Sequence, residues 1–358
     1  MARIQAPEDR YEDAGVLGEG GMGQVRAVQD LDLGRRSAMK IIMPELMEEP
    51  GAVARFIEEA QATAQLSHPG IVPVHELGQL PDGRWFFTMR LVEGETLGSV
   101  IRQLHEISST EGWGSGGPWS FRRVLDAFHG ACEAVAYAHS RQVIHRDLKP
   151  ANIMLGAFGE VQVMDWGLAK VLGREGEETA GVRTERSADD ELATQAGTVA
   201  GTPAYMAPEQ ARGQVERLGP QTDVYALGAV LYTILAGRPP YDGDPERVLQ
   251  YVAMGMYTRL ARRQTPPLPP GLVEIVERAL HLDPDIRYPD AAALASELAA
   301  WLDGERRLEQ ARAIVEEARG LDPRVAAWRA QAELLRERAA RLLAEVPSWA
   351  PEEDKHAA

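Results

Sequence analysis

Between residues 11 and 92 the chain is a run of short apolar segments broken by polar turns. Val25-Arg26-Ala27-Val28 and Ala38-Met39-Lys40-Ile41-Ile42 read as strands, and the turn-like Asp32-Leu33-Gly34 separates them. One helix interrupts this pattern: in GAVARFIEEAQATAQL, Val53, Phe56, Ile57, Ala60 and Ala64 recur at helical spacing. IVPVHELG and GRWFFTMRLV then return to strand character. From about residue 96 the pattern is mostly helical. Leu125, Phe128, Cys132, Val135 and Ala136 form one helix face that ends before Arg141, and glycine and serine between Ser108 and Gly117 predict a loop ahead of it. The run from Val224 to Gly237 is apolar throughout but shorter than the roughly 20 residues of a membrane span. It predicts a buried central helix. A proline-rich loop (265–271) and further helices lead to Trp301.

Two segments break this texture. Residues 173–197 are polar, charged and poor in apolar side chains, so they predict mobility unless something orders them. From about residue 305, two Ala/Glu/Arg-rich amphipathic stretches joined by Leu321-Asp322-Pro323 predict either a helical hairpin or the start of a coiled coil. The expected class is α+β: a small sheet carrying one helix (11–92), a larger mainly helical part (93–303), a helical extension (304–358) and a short N-terminal tail (1–10).

Composition narrows the function. The 358 residues are 44% hydrophobic and 26% charged, ordinary for a globular protein. A formal net charge of -16 argues against non-specific nucleic-acid binding, although a local pocket can still take one nucleotide. The single cysteine, Cys132, allows no internal disulfide, and its place on an apolar helix face reads as a buried thiol. MARIQAPEDRYED has no apolar core, so no signal peptide is expected, and a cytoplasmic location is the simplest reading.

The chemistry lies in an ordered series of motifs. Gly18-Glu19-Gly20-Gly21-Met22-Gly23 is a weak signal alone, but a strand follows it where a dinucleotide fingerprint needs a helix. It reads as a glycine hairpin covering phosphates, with no Cβ to hold the backbone off. Lys40 lies on the next strand among apolar neighbours, so its buried ammonium needs a partner; Glu59 is the candidate and Glu58 the competitor. His145-Arg146-Asp147-Leu148-Lys149-Pro150-Ala151-Asn152 fills every fixed position of H-R-D-L-x-x-x-N. In it, Asp147 can accept a hydroxyl proton, Lys149 can neutralise charge on a transferred phosphoryl group, and Asn152 can hold a metal. His145 reads as structural. Asp165-Trp166-Gly167 after the strand-like Val161–Met164 supplies another metal-binding carboxylate, and Gly201-Thr202-Pro203 leads into Ala207-Pro208-Glu209.

Over roughly residues 11–303 these motifs resemble the protein kinase superfamily. Lys149-Pro150 and Gly201-Thr202-Pro203 resemble its serine/threonine branch, and the Gly-Gly-Met-Gly loop resembles bacterial eukaryotic-like members. Trp166 departs from the usual phenylalanine. The resemblance implies a two-lobed fold with ATP and Mg²⁺ in the cleft, Mn²⁺ being the alternative metal. It implies nucleotide contacts from Leu17, Gly18, Gly20, Gly23, Val25, Ala38, Lys40, Glu59, Met89 and Leu91, with Val25 and Ala38 sandwiching the adenine and Met89 as gatekeeper. It further implies metal ligation by Asn152 and Asp165, a Glu209–Arg287 pair, and Asp223 bracing the catalytic loop. Arg146 suggests control by a phosphorylated Thr198 or Thr194, and Thr202 a contact to Lys149 and Asp147. The implied activity is transfer of the ATP γ-phosphoryl to protein serine or threonine. The rival readings are a pseudokinase scaffold working through its helical extension and a small-molecule phosphotransferase. Residues 304–358 read equally as a site for a second copy or partner protein and as a helical extension packed on the larger lobe.

Overall fold

Strands β1 (Tyr11–Glu19), β2 (Gly23–Asp30), β3 (Arg35–Ile42), β4 (Val74–Gln79) and β5 (Trp85–Arg90) form one antiparallel sheet in the order β1-β2-β3-β5-β4. The computed structural model describes residues 10–111, 119–156, 158–167, 169–171, 203–260 and 268–345. The β2–β3 register puts Val25 opposite Lys40, and the β3–β5 register puts Lys40 opposite Phe87 and Ala38 opposite Met89. One face of the sheet is closed by helix α1 (Ala52–Gln65), whose Phe56 and Ala60 join Ala38, Ile42, Phe87 and Met89 in a common core. Phe56, Glu59, Ala60 and Thr63 repeat at three and four residues, so the face that packs on the sheet also carries one carboxylate inward.

The last glycine of the glycine hairpin, Gly23, is fixed by packing. A Cβ at Gly23 would lie 2.5 Å from the Ile41 carbonyl oxygen, whereas at Gly18 and Gly21 it would meet open space. A side chain at position 23 would therefore press on the backbone of β3, whereas Gly18 and Gly21 have room for one.

After β6 (Gly94–Thr96) the chain becomes helical with α2 (Leu97–Glu111) and α3 (Phe121–Ser140). Helix α2 runs through Ser108–Glu111, where the sequence pattern predicts a loop. Serine and threonine are tolerated in a helix, and the first residue that strongly disfavours one is Gly112. Helix α3 starts at Ser120, whose side chain accepts from the Arg123 amide, and buries Leu125, Phe128, Cys132 and Val135. Burial pushes the Cys132 thiol well up, as expected of an inert core cysteine. Short strands β7 (Val143–Ile144), β8 (Ile153–Gly156), β9 (Val161–Val163) and β10 (Lys170–Val171) follow, with β8 pairing β6 and β9.

Helices α4 (Pro208–Ala211) and α5 (Pro220–Ala236) come next. Every residue of α5 from Thr222 to Leu235 is buried, as an all-round apolar pattern requires, and Gly237 closes it with a φ of 71°. Helices α6 (Pro245–Met254), α7 (Pro270–Ala279) and α8 (Ala291–Glu345) complete the described residues. The fold is thus α+β and two-lobed: a small antiparallel sheet with one helix, then a larger mainly helical part. The chain divides into two compact units, Met1–Ala299 and Ala300–Ala358. Helix α8 continues through Pro323, where the sequence left a hairpin open. No helix among the described residues is long and apolar enough to cross a membrane.

Candidate active site

Lys40 projects from β3 against α1, where its Nζ lies 2.5 Å from Glu59 Oε1. It also reaches Asp165 Oδ1 at 3.3 Å, so one ammonium joins the sheet, the helix and the segment after β9. Burial opposes the charge on Lys40, but Glu59 and Asp165 outweigh it and hold the ammonium above its ordinary range. Burial pushes the Glu59 carboxyl up against the pull of Lys40. Asp165 is held low: desolvation by the protein around it would raise it, and the neighbouring Lys40 ammonium overcomes that although the carboxylate stays half-exposed. The Glu59 Oε2 is buried without a hydrogen bond among the described residues, and a Cβ at Gly167 would lie 2.9 Å from it. A side chain at position 167 would therefore press on the carboxylate that holds Lys40.

Loop 145–152 is held from below by one buried carboxylate. Asp223, at the start of α5, accepts from the backbone amides of His145 (2.7 Å) and Arg146 (2.8 Å) and from His139 Nε2 (2.9 Å). His139 Nδ1 accepts from the Ala291 amide, which leaves its hydrogen on Nε2, aimed at Asp223. His145 is occupied in the same way: Nδ1 accepts from the Asp147 amide, and Nε2 meets the Met164 carbonyl at 3.0 Å. Neither imidazole is left to act as a base.

Above this brace, Lys149 Nζ donates to Asp147 Oδ2 at 2.7 Å. Asn152 Nδ2 donates to the Asp147 carbonyl oxygen at 2.9 Å and to Oδ2 at 3.3 Å. With both amide hydrogens turned toward Asp147, the oxygen of Asn152 is the atom left for a further ligand. The backbone is strained at two points here: Arg146 has a φ of 69° and Asp165 a φ of 62°. Non-glycine residues hold that region only when their surroundings over-determine it. At Arg146 the Asp223 bond does so, together with the 2.9 Å bond from Gln210 Nε2 to the Arg146 carbonyl. Trp166 is fully buried, 4.6 Å from the His145 ring, and its indole N–H donates to the Val163 carbonyl at 3.3 Å. The larger ring has thus found the partner that its added polar group requires.

A protein kinase domain family model matches residues 11–298. The chain belongs to the protein kinase family. Among its relatives, the serine/threonine-protein kinase PknB of Mycolicibacterium smegmatis is 35% identical over 308 residues, covering 85% of this chain and 45% of the relative. The serine/threonine-protein kinase PknD of Protochlamydia amoebophila is 36% identical over 304 residues, covering 83% of this chain and 30% of that protein. The probable serine/threonine-protein kinase SCO3848 of Streptomyces coelicolor is 34% identical over 303 residues, covering 83% and 40%. The chain spans less than half the length of these curated relatives.

Within this kinase fold, Glu209 on α4 and Arg287 form a buried bidentate pair at 2.8 and 2.9 Å. Val25, Ala38 and Met89 lie on the adjacent strands β2, β3 and β5; Leu17 is exposed on β1, and Leu91 follows β5. Thr194, Thr198 and Thr202 lie outside the described residues, as does the whole segment 173–197. Two contributors escaped the sequence reading. Gln210 ties α4 to loop 145–152, and its only signal is its place beside Glu209. His139 continues the buried face of Cys132 and Val135, so a polar residue at a core position marked it.

Asp223 offers a test by pH. Its own burial would raise its carboxyl, but the bonds from His139 and the loop amides hold it below the ordinary carboxylate value. A group depressed in the folded state stabilises it above the unfolded value, and that contribution is lost as the pH falls through the folded one. Asp223→Asn should therefore cost about 2–4 kcal/mol at neutral pH. The deficit should shrink as the pH falls below the ordinary carboxylate range. Urea midpoints of parent and variant across that range check this, and a deficit independent of pH would contradict it.

Proposed function

We propose that this chain is a serine/threonine protein kinase that transfers the γ-phosphoryl of ATP to protein hydroxyls. The observation that carries the reading is the assembled set of charges. Lys40 is already paired with Glu59 and reaches Asp165, while Asp147, Lys149 and Asn152 converge on one loop. Lys40 would hold the α- and β-phosphates, kept in place by Glu59. Asp147 would accept the hydroxyl proton and align the attacking oxygen, and Lys149 would neutralise charge developing on the transferred group. Such a reaction asks mainly for positioning and fixed charge, because its transition state is loose.

The side chains fit Mg²⁺. Asp165 presents a carboxylate that is half-exposed, and Asn152 an amide oxygen, both hard donors of the kind this ion takes. A metal held by these two residues would neutralise charge on the bridging phosphates. Leu17, Gly18, Gly20, Gly23, Val25, Ala38, Met89 and Leu91 would line the nucleotide site. The serine/threonine preference is supported by Lys149 after Asp147 and by the names of the relatives.

Asp147→Asn should lower transfer to protein by about a thousandfold or more with an unchanged melting temperature. Turnover matching the parent would sink the assignment. Thr198 or Thr194 would be phosphorylated by the kinase itself, with Arg146 accepting the phosphate; mass spectrometry of active protein that finds both unmodified would count against it. The kinase would work in the cytoplasm, and residues 304–358 would bind a second copy or a partner protein.

A further inference from the structure

In the Ala300–Ala358 unit, large apolar residues stand exposed at multiples of seven residues along α8. Ile314, Trp328, Leu335 and Leu342 occupy one heptad position, d, and are 40–67% exposed. The a positions between them hold Ala311, Ala318, Val325, Ala332 and Ala339, so the stripe is large at d and small at a. Pro323 falls at f, on the far side of this stripe, so its ring takes no place in the face. Lone water-exposed leucines need no explanation, but a stripe kept over four turns or more does.

We propose that this stripe pairs with the same stripe of a second copy, antiparallel and about a two-fold axis between Val325 and Trp328. The inference refines the reading of 304–358 as a contact segment and is independent of the catalytic assignment. In an antiparallel pair each a residue faces a d residue of the other copy. One register brings Ala311 opposite Leu342, Ile314 opposite Ala339, Ala318 opposite Leu335 and Val325 opposite Trp328. Every such layer joins one small and one large side chain, which fills the seam evenly. A parallel pair would stack Trp328 on Trp328 and alanine on alanine, leaving layers by turns overfull and empty.

Charge selects the same register. It places Glu317 beside Arg338 of the second copy, and Leu308 beside Leu343, each pair occurring twice in the dimer. Among the described residues Glu317 and Arg338 make no ion pair within their own chain, whereas Glu316, Glu333 and Glu337 are each paired along the helix with Arg319, Arg336 and Arg341. The parallel arrangement would instead set Arg324 against Arg329 of the second copy, a like-charge contact at the flanking positions.

Sedimentation equilibrium of the full chain tests this directly. The parent should be dimeric at micromolar concentration and Leu335→Asp monomeric. Glu317→Arg and Arg338→Glu should each weaken association roughly tenfold, and the double variant should return to within about threefold of the parent. A monomeric parent, a dimer indifferent to Leu335→Asp, or a double variant no tighter than the singles would overturn the proposal. The readout is mass, so a chain that dimerises without phosphoryl transfer, or transfers as a monomer, separates this inference from the kinase reading.

Discussion

Lys40→Met should lower the rate of phosphoryl transfer by about a hundred- to a thousandfold while leaving the chain folded. The ammonium is the junction of three elements: it rises from β3, meets Glu59 of α1 at 2.5 Å and Asp165 at 3.3 Å. Methionine keeps the length of the stem and its packing against Phe87, but supplies no charge for phosphate or carboxylate. A single preorganised donor at such a site is worth two to three powers of ten, roughly 3–4 kcal/mol. The structural cost stays smaller because Glu59 has an outlet. Burial already pushes its carboxyl up, so without Lys40 it can take a proton instead of standing as a bare buried charge. Circular dichroism of the variant should match the parent, and nucleotide affinity should fall. A variant that turns over at the parent's rate would remove Lys40 from the site.

Arg287→Ala should cost about 3–5 kcal/mol of folding stability, the largest effect expected of any substitution away from the site. All five N–H donors of Arg287 are used: Nε on the His281 carbonyl, one terminal nitrogen on Glu209 and the Gln221 carbonyl, the other on Glu209 and the Leu282 carbonyl. The guanidinium also lies 4.8 Å from the centre of the Tyr225 ring. Both partners are almost completely buried, so removing Arg287 leaves the Glu209 carboxylate with the Thr222 hydroxyl in place of a bidentate cation and takes one donor from each of three carbonyl groups. Arg287→Lys should recover less than half of the loss, since an ammonium cannot match a bidentate, stacked geometry. Urea unfolding measures both variants; a loss under about 1 kcal/mol for the alanine change would contradict the account. The damage should spread to activity. Glu209 sits beside Gln210, which holds the carbonyl of Arg146, next to Asp147.

Much of this was legible from sequence because local pattern and fold agree. The alternation around Val25 and Ala38 and the three- and four-residue spacing of Phe56 and Ala60 fixed the sheet and α1 on their own. That same spacing explains why Glu59 rather than Glu58 faces Lys40: it is the acid that shares the inward face with Phe56 and Thr63. Glu209 and Arg287 lie 78 positions apart, and only the resemblance to a known family brought them together. The parts that escaped are polar residues whose roles depend on distant backbone. Gln210 and His139 act on an Arg146 carbonyl and an Asp223 carboxylate that no local periodicity places beside them. The end of α2 was misread for a simpler reason, since Ser108 and Ser109 look like loop residues but do not stop a helix. Pro323 carried the same ambiguity, and the single helix from Ala291 to Glu345 that runs through it resolves it.

The central claim is phosphoryl transfer to protein hydroxyls, and its most direct test is one incubation. Purified chain, Mg²⁺ and ATP labelled at the γ-phosphoryl are mixed with a generic basic protein substrate, and the acid-stable label is assigned to its amino acid. The account predicts label on serine and threonine from the parent and none above background from Asp147→Asn. Label on tyrosine alone, or equal label from both proteins, would contradict it.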